Sequence, residues 1–270
     1  MDITELRKNP HLSPSAINAY MDCGLLFKLG RVLNIQPETR PDALEFGSAI
    51  HKVIAEYYRH KLEGEIVSLE DLQILFQALW ERATQNGIEI TYKDGKNKEI
   101  LLKEGKDLLS AYYTKLPRDN FNVLAIEQPF MFHIHGLPVP IIGIFDLIEQ
   151  DESGAIIVTD WKTASQAYSE DEINKNLQLT LYGMAAKANG YTDKVILLRF
   201  HTLIKTRVPK FEEYYTTRSE MDEKRAVKKI MHVWDGIGKR VFIPNESWKC
   251  KGCQYKGACD EWFKKEDLSL

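Results

Sequence analysis

Carboxylates, one lysine and four thiols are the residues here whose spacing could do chemistry. Asp146 follows the run Pro140-Ile141-Ile142-Gly143-Ile144-Phe145, and Asp160 and Lys162 lie within Ala155-Ile156-Ile157-Val158-Thr159-Asp160-Trp161-Lys162-Thr163. Both runs are short and β-branched. Asp151-Glu152-Ser153-Gly154 between them is a turn signal, so the stretch predicts a β-hairpin inside a sheet. Residues two apart on a strand leave the same face, which pairs Lys162 with Asp160. Charges buried in a sheet are costly unless they are paired or bound to a metal. A divalent cation between Asp146 and Asp160 would account for the arrangement; an Asp–Lys pair at a strand end is the structural alternative.

The thiols form a second constellation. Cys250, Cys253 and Cys259 cluster near the C-terminal end, and Cys23 is the only other cysteine. In a reducing compartment such clustering argues against disulfides and for metal ligation. Three ligands so close in sequence need a distant fourth to close a four-ligand site, and Cys23 is the remaining thiol. Four thiolates suit zinc as readily as an iron–sulfur cluster.

Composition limits the class. The 270 residues, 44% hydrophobic and 28% charged, describe a globular chain with ample core, as one large domain or two small ones. Met1-Asp2-Ile3-Thr4-Glu5-Leu6-Arg7 has no cationic stretch followed by an apolar one, so a cytoplasmic location is expected. No apolar run approaches membrane-spanning length, and no membrane partner is expected. A formal charge of −3 is not that of a general nucleic-acid binder. It is compatible with an acidic centre flanked by local Lys and Arg clusters such as Lys205-Thr206-Arg207 and Lys224-Arg225, which read equally as solvated faces. No G-x-x-x-x-G-K-(S/T) phosphate loop is present, so no ATP-driven motor is built in.

Several elements have to position these groups. Ser13 caps a short helix with Pro14 at its first position, ending near Cys23-Gly24. A long helix spans about Asp42 to Leu62, with Phe46, Ile50, Val53, Ile54 and Tyr57 at helical spacing. His51 sits on it between apolar positions and reads as a core residue or, as a neutral imidazole, as a ligand for Mn²⁺ or beside Mg²⁺. Helices over Leu69–Asn86 and Asn97–Leu116 are expected to cover the cleft. A first strand, Val123–Ile134, carries Glu127, either an accessory acid or an exposed strand charge. Beyond Lys162 the pattern predicts a helix from about Asp171 to Asn189, with Gln178 and Tyr182 sharing a face. Strands over Val195–Ile204 and Phe211–Thr216 and a last helix, Ser219–Gly236, lead to the cysteines.

Gly143-Ile144-Phe145-Asp146 followed by Asp160-Trp161-Lys162 resembles the Asp…(Asp/Glu)-x-Lys core of PD-(D/E)XK nucleases. Ser13-x-Ser15-x-Ile17-x-x-Tyr20-x-x-Cys23 is similar to the opening of RecB-type nuclease domains, Gly47-x-x-x-His51 to their histidine motif, and Gln178-x-x-x-Tyr182 to their QxxxY motif. One early cysteine and a late Cys-x2-Cys-x5-Cys resemble the iron–sulfur nucleases of the AddB type and the CRISPR-associated RecB-like exonucleases. The resemblance implies an α/β fold with a central mixed sheet flanked by helices, as one nuclease domain over 1–270. Residues 1–40 and 245–270 would form a staple in which Cys23, Cys250, Cys253 and Cys259 hold a 4Fe-4S cluster joining the two ends, with zinc as the alternative.

The resemblance further implies that His51, Asp146, Asp160 and the Trp161 carbonyl bind Mg²⁺ or Mn²⁺, that Lys162 activates water, and that Gln178 and Tyr182 hold the centre and the nucleic acid. The implied activity is a DNA exonuclease on single strands or duplex ends in recombination, repair or replication, with endonuclease activity and an RNA substrate left open. A helicase, an annealing protein or CRISPR adaptation proteins are the implied partners. The alternative is a non-catalytic, zinc- or cluster-stabilised DNA-binding subunit of a larger complex.

Overall fold

Alternating apolar residues build five strands that pair into one mixed sheet. The structure is a computed structural model that describes residues 2–85, 87–93, 95–116 and 121–264. The strands β1 (Asn122–Phe132), β2 (Ile141–Gln150), β3 (Ile156–Ala164), β4 (Ile196–Ile204) and β5 (Lys210–Thr216) lie in that spatial order. Only β3 and β4 are parallel. A parallel pair needs a crossover, which α5 (Glu170–Asn174) and α6 (Leu177–Ala186) supply. Against one face, α1 (Pro14–Asp22), α6 and α7 (Glu220–Gly238) bury Phe130, Phe145, Val158 and Phe200. Against the other, α2 (Asp42–Glu63), α3 (Leu69–Thr84) and α4 (Lys98–Lys115) bury Leu147, Trp161, Leu203 and Phe211. No helix among the described residues is long and apolar enough to cross a membrane.

Two expectations are corrected. The single helix expected from Asp171 to Asn189 is two, because Asn176 takes extended backbone angles and its side chain accepts the Leu179 N–H at 3.0 Å. An Asn side chain offers the backbone this alternative to helix, and here it starts a new one. Gln178 thereby falls in the first turn of α6. The helices α3 and α4 back α2 rather than cover the acids: Phe76 and Trp80 close on Phe46 with ring centroids 5.6 and 6.0 Å away. Asn86, the expected end of the first of these helices, lies outside the described residues.

The irregular feature of the sheet lies between β2 and β3. Their ladder runs only from Gln150↔Ile156 to Leu147↔Thr159, and then the strands part. Parting frees the edge of β2 before residue 147, and the N-terminal segment takes it. Leu12 donates to the Pro140 carbonyl at 3.0 Å and accepts from Ile142 N–H at 2.9 Å. Pairing there satisfies the Pro140 carbonyl and the Ile142 N–H of the open edge.

Behind the sheet, Arg199 on β4 is fully buried and ion-paired with buried Glu149 on β2. It also donates to Thr159 at 2.9 Å and to Tyr215 at 3.0 Å. Buried His201 lies 2.9 Å from Glu213 through Nε2 and 3.3 Å from the Tyr112 hydroxyl through Nδ1. Burial, then the charges of Arg199 and Lys61, hold its pKa well below the ordinary value, so it is neutral in the fold. The unfolded chain therefore binds a proton there that the folded chain does not, and stability falls as pH drops below about 6.5. His201→Gln should flatten the fall measured by denaturant unfolding between about pH 7 and 5, by up to about 1.4 kcal/mol per pH unit. An unchanged slope would assign the pH dependence to other groups.

Candidate functional site

Where β2 and β3 part, side chains from both faces of the sheet meet. Asp146 projects into the gap and its Oδ2 accepts the Trp161 N–H at 2.9 Å, in place of a ladder bond. From α2, His51 brings Nδ1 to 3.6 Å from Asp146 Oδ2. From β3, Asp160 and Lys162 lie on one face as their spacing requires, with Lys162 Nζ 2.6 Å from Asp160 Oδ2. From α6, Gln178 joins the set: its Nε2 donates to Asp160 Oδ1 at 2.8 Å and its Oε1 accepts from Lys162 at 3.1 Å. Tyr182, one turn along the same face, has its hydroxyl 3.1 Å from Gln178 Nε2. All seven residues expected to act at the acids (His51, Asp146, Asp160, Trp161, Lys162, Gln178 and Tyr182) therefore converge on one gap.

The electrostatics follow from burial of like charges. Burial first, and the Asp160 charge second, raise the Asp146 pKa well above the usual carboxylate value, against the opposing Trp161 hydrogen bond. Burial alone would lower Lys162, but the carboxylates of Asp160 and then Asp146 outweigh it, and the ammonium is held charged. His51 is lowered, chiefly by burial, and is a neutral imidazole with a lone pair to offer. Asp160 is 1% exposed, yet its Oδ2 has no hydrogen-bond partner among the described residues. The neighbouring ammonium is close to that oxygen without hydrogen-bond alignment. Two buried carboxylates, a neutral imidazole and a backbone carbonyl make a donor set suited to a hard divalent cation.

Glu127, read from the sequence as an accessory acid or an exposed strand charge, lies at the gap. It stands across from Asp146, between the pairs Ile126↔Leu147 and Gln128↔Phe145, with φ at 46° in the left-handed region. A side chain there is strained, and such strain gathers at functional sites. At this level both strands change phase: Phe130 and Phe145 face one core, whereas Ile126 and Leu147, of the same parity, face the other. Glu127 is ion-paired with Arg59, which follows His51 by eight residues on the same face of α2.

The four cysteines also come together. They line one cavity of about 230 Å³, and all are free thiols. Cys23 breaks the helix between Asp22 and Gly24 with extended backbone, and its Sγ accepts the N–H groups of Leu26 and Asn245 at 3.5 and 3.4 Å. Cys250 Sγ accepts the Ser247 N–H at 3.3 Å. Among the described residues no three of these sulfurs lie within 4.8 Å of one another. Direct bonds join the chain ends around the cavity, Gly24 N–H to the Ile243 carbonyl at 2.9 Å and Glu38 N–H to the Gln254 carbonyl at 3.2 Å. The last six positions of the expected 245–270 segment lie outside the described residues.

Comparison with known proteins agrees with the fold. A family model described as the PD-(D/E)XK nuclease superfamily matches residues 11–260. No curated protein matches the chain at a significant level. Among solved structures, the chain is similar to a protein from Eubacterium rectale named "Putative exonuclease", with a TM-score of 0.53 and 10% identity over 91% of this chain and 87% of that one. A protein designated SSO0001 aligns over 88% of this chain and 94% of its own, with a TM-score of 0.39 and 17% identity.

The mutual repulsion of the buried acids predicts that the site is a source of instability when no cation is present. In chelator at neutral pH, Asp146→Asn keeps an oxygen for the Trp161 N–H and removes one charge. It should melt higher than the parent by roughly 2–4 °C, the shift that about 1 kcal/mol produces in a chain of this size. Excess Mg²⁺ should narrow or reverse the order. A variant that melts lower in chelator would show that the pair is not repulsive.

Proposed function

The chain belongs to the PD-(D/E)XK nuclease superfamily, and from that premise we propose that it is a divalent-metal-dependent DNA exonuclease acting on single strands or duplex ends. The observation that carries this reading is the pair of carboxylates in the gap: Asp160, buried with Lys162 as the only charge against its Oδ2, and Asp146 on the parted strand, whose pKa burial and the Asp160 charge raise. A buried anion with a free lone pair beside a second carboxylate suits a cation between them. His51, Asp146, Asp160 and the Trp161 carbonyl oxygen would hold Mg²⁺ or Mn²⁺, whose chemistry is to polarise a water and neutralise charge on the scissile phosphate.

The part played by the chain's own side chains is positional. Gln178 ties Asp160 to Lys162 and fixes the ammonium beside the carboxylate. A lysine held charged favours orienting water and stabilising the anionic transition state over taking a proton. Tyr182 supports Gln178 from the next turn and lines the groove that runs to Asp146. The name of the Eubacterium rectale protein agrees with an end-directed reading.

For the cysteine corner the reading is a structural 4Fe-4S cluster held by Cys23, Cys250, Cys253 and Cys259. A cavity among four free thiols and N–H groups aimed at two sulfurs support it.

Asp160→Ala and Lys162→Ala should each lower cleavage of end-labelled DNA with Mg²⁺ or Mn²⁺ by at least about a hundredfold, with the fold retained. Undiminished cleavage by either variant would remove the assignment, and rapid cutting of circular single strands would replace the exonuclease reading with an endonuclease one. Purified without oxygen, the protein should be brown and hold about four iron and four sulfide per chain. Cys23→Ala should lose the colour and melt lower, as Cys253→Ala does. A colourless protein with one zinc would overturn the cluster.

A further inference from the structure

One cation-bearing groove reaches Asp146, and a second begins one residue beyond Lys162. One, of about 580 Å³, runs from Arg7, His11 and Arg31 past Ser13 to Asp146, Gln178 and Tyr182. Asp146 is the sole carboxylate in its lining. The other, of about 440 Å³, begins at Thr163, next to Lys162, and carries Lys93, Lys96 and Lys205 with Ser165 and Gln166. Each volume is in the range that takes a drug-sized molecule, which is the size of a nucleotide.

The charge balance of the second groove is less simple, since Asp42, Glu104 and Glu172 also line it. Those acids are engaged locally. Asp42 accepts the Lys93 N–H at 3.0 Å, Glu104 pairs with Lys96 at 2.6 Å, and Glu172 caps its helix through Ser169 at 2.8 Å. Among the described residues, Arg7, Arg31, Lys93 and Lys205 have no carboxylate within 4.0 Å. Lys205 is the informative one. It is half-buried, with its ammonium 5.0 Å from the Phe46 ring, and burial outweighs the nearby Glu104 and Asp42 charges, neither of which lies within 4.0 Å. A desolvated cation of this kind is costly until an anion reaches it.

We propose that one polynucleotide strand crosses the acids from groove to groove, its phosphates contacting Arg7 and Arg31 on one flank and Lys93 and Lys205 on the other. The inference rests on the nuclease reading, because the acids are taken as the point where the scissile phosphate lies. It adds which side chains hold the phosphates on either side. A chain with a formal charge of −3 thereby offers cations without an ion-pair partner on either flank of the acids. The two flanks have different origins. Arg7 sits on the N-terminal segment recruited to the freed edge of β2, and Arg31 on the π-turn Lys28–Val32 that follows Cys23. Lys93 precedes α4, and Lys205 directly follows β4.

The test is the salt dependence of binding, read by fluorescence anisotropy of a labelled single-stranded oligodeoxythymidine in chelator, where nothing is cut. Arg7→Gln with Arg31→Gln, and Lys93→Gln with Lys205→Gln, are compared with the parent and with Lys224→Gln, Lys228→Gln on the exposed face of α7. Each lost phosphate contact lowers the slope of log K against log salt by about 0.7, so each flank pair should lower it by about 1.4. At about 50 mM salt each should bind at least tenfold more weakly, and the α7 control should match the parent. Equal melting temperatures exclude misfolding as the cause. Flank variants with the parental slope, or a control that falls as far as they do, would overturn the track. A parent that cuts DNA while the flank variants keep its slope overturns the track alone. A parent that binds with the expected slopes and never cuts overturns the catalytic reading alone.

Discussion

Two carboxylates, Asp160 buried and Asp146 half-buried, facing each other across parted strands are the constraint on which the rest of this structure depends. Left alone, Asp146 and Asp160 would repel in a low-dielectric setting, and the fold answers with specific groups. The Trp161 N–H reaches Asp146, Lys162 stands against Asp160, and Gln178 bridges Asp160 to Lys162. Each answer needs an exact place in the backbone. The Trp161 N–H is free because the ladder stops at Leu147↔Thr159. Gln178 reaches the acids because Asn176 ends one helix and begins another. The left-handed Glu127 stands across from Asp146 where both strands change phase.

Parting two strands in the middle of a sheet exposes backbone, and the way this chain covers it determines the surroundings of the site. Leu12 bonds to both Pro140 and Ile142 on the open edge of β2. That contact brings the N-terminal residues beside the acids, so that Arg7, His11 and Ser13 become groove lining rather than a remote segment. On the far side, β3 continues past Lys162 paired only with β4, and its end at Ala164 opens onto the lysine-bearing groove. The same break that creates the carboxylate gap therefore creates an approach on each side of it.

Much of this was legible in the sequence because it follows from local pattern. The hairpin, the five strands and the long helix follow period-two and period-3.6 spacing, and Asp160, Lys162, Gln178 and Tyr182 needed only same-face arguments. What could not be read was long-range. The split of the helix at Asn176 depends on a side-chain cap competing with helical propensity, and single-sequence periodicity does not see that competition. The positive φ of Glu127 and its Arg59 partner require knowing that β1 lies beside β2 and under α2. The buried Arg199–Glu149 pair likewise looks, in sequence, like two strand charges pointing to solvent. The cysteine spacing was legible as a ligand pattern, but the hydrogen bonds that join the chain ends around it were not.

The cysteine corner and the catalytic gap are connected through a short piece of chain. Leu25 and Leu29 flank the turn after Cys23 and are buried with Tyr255, which follows Cys253 by two. A Cβ on Gly30 would lie 2.6 Å from the Tyr255 hydroxyl, so the turn and the C-terminal segment are in close contact there. Arg31 is the next residue, and it lines the groove that ends at Asp146. Whatever holds the four thiols together thus also holds a guanidinium near the path to the acids. Loosening the corner would leave His51, Asp146 and Asp160 in place, since they are carried by α2 and the sheet, and would act on the groove instead. On the proposed track, the corner would act on Arg31 as well as on stability, and the two effects are separable because only one of them runs through Arg31.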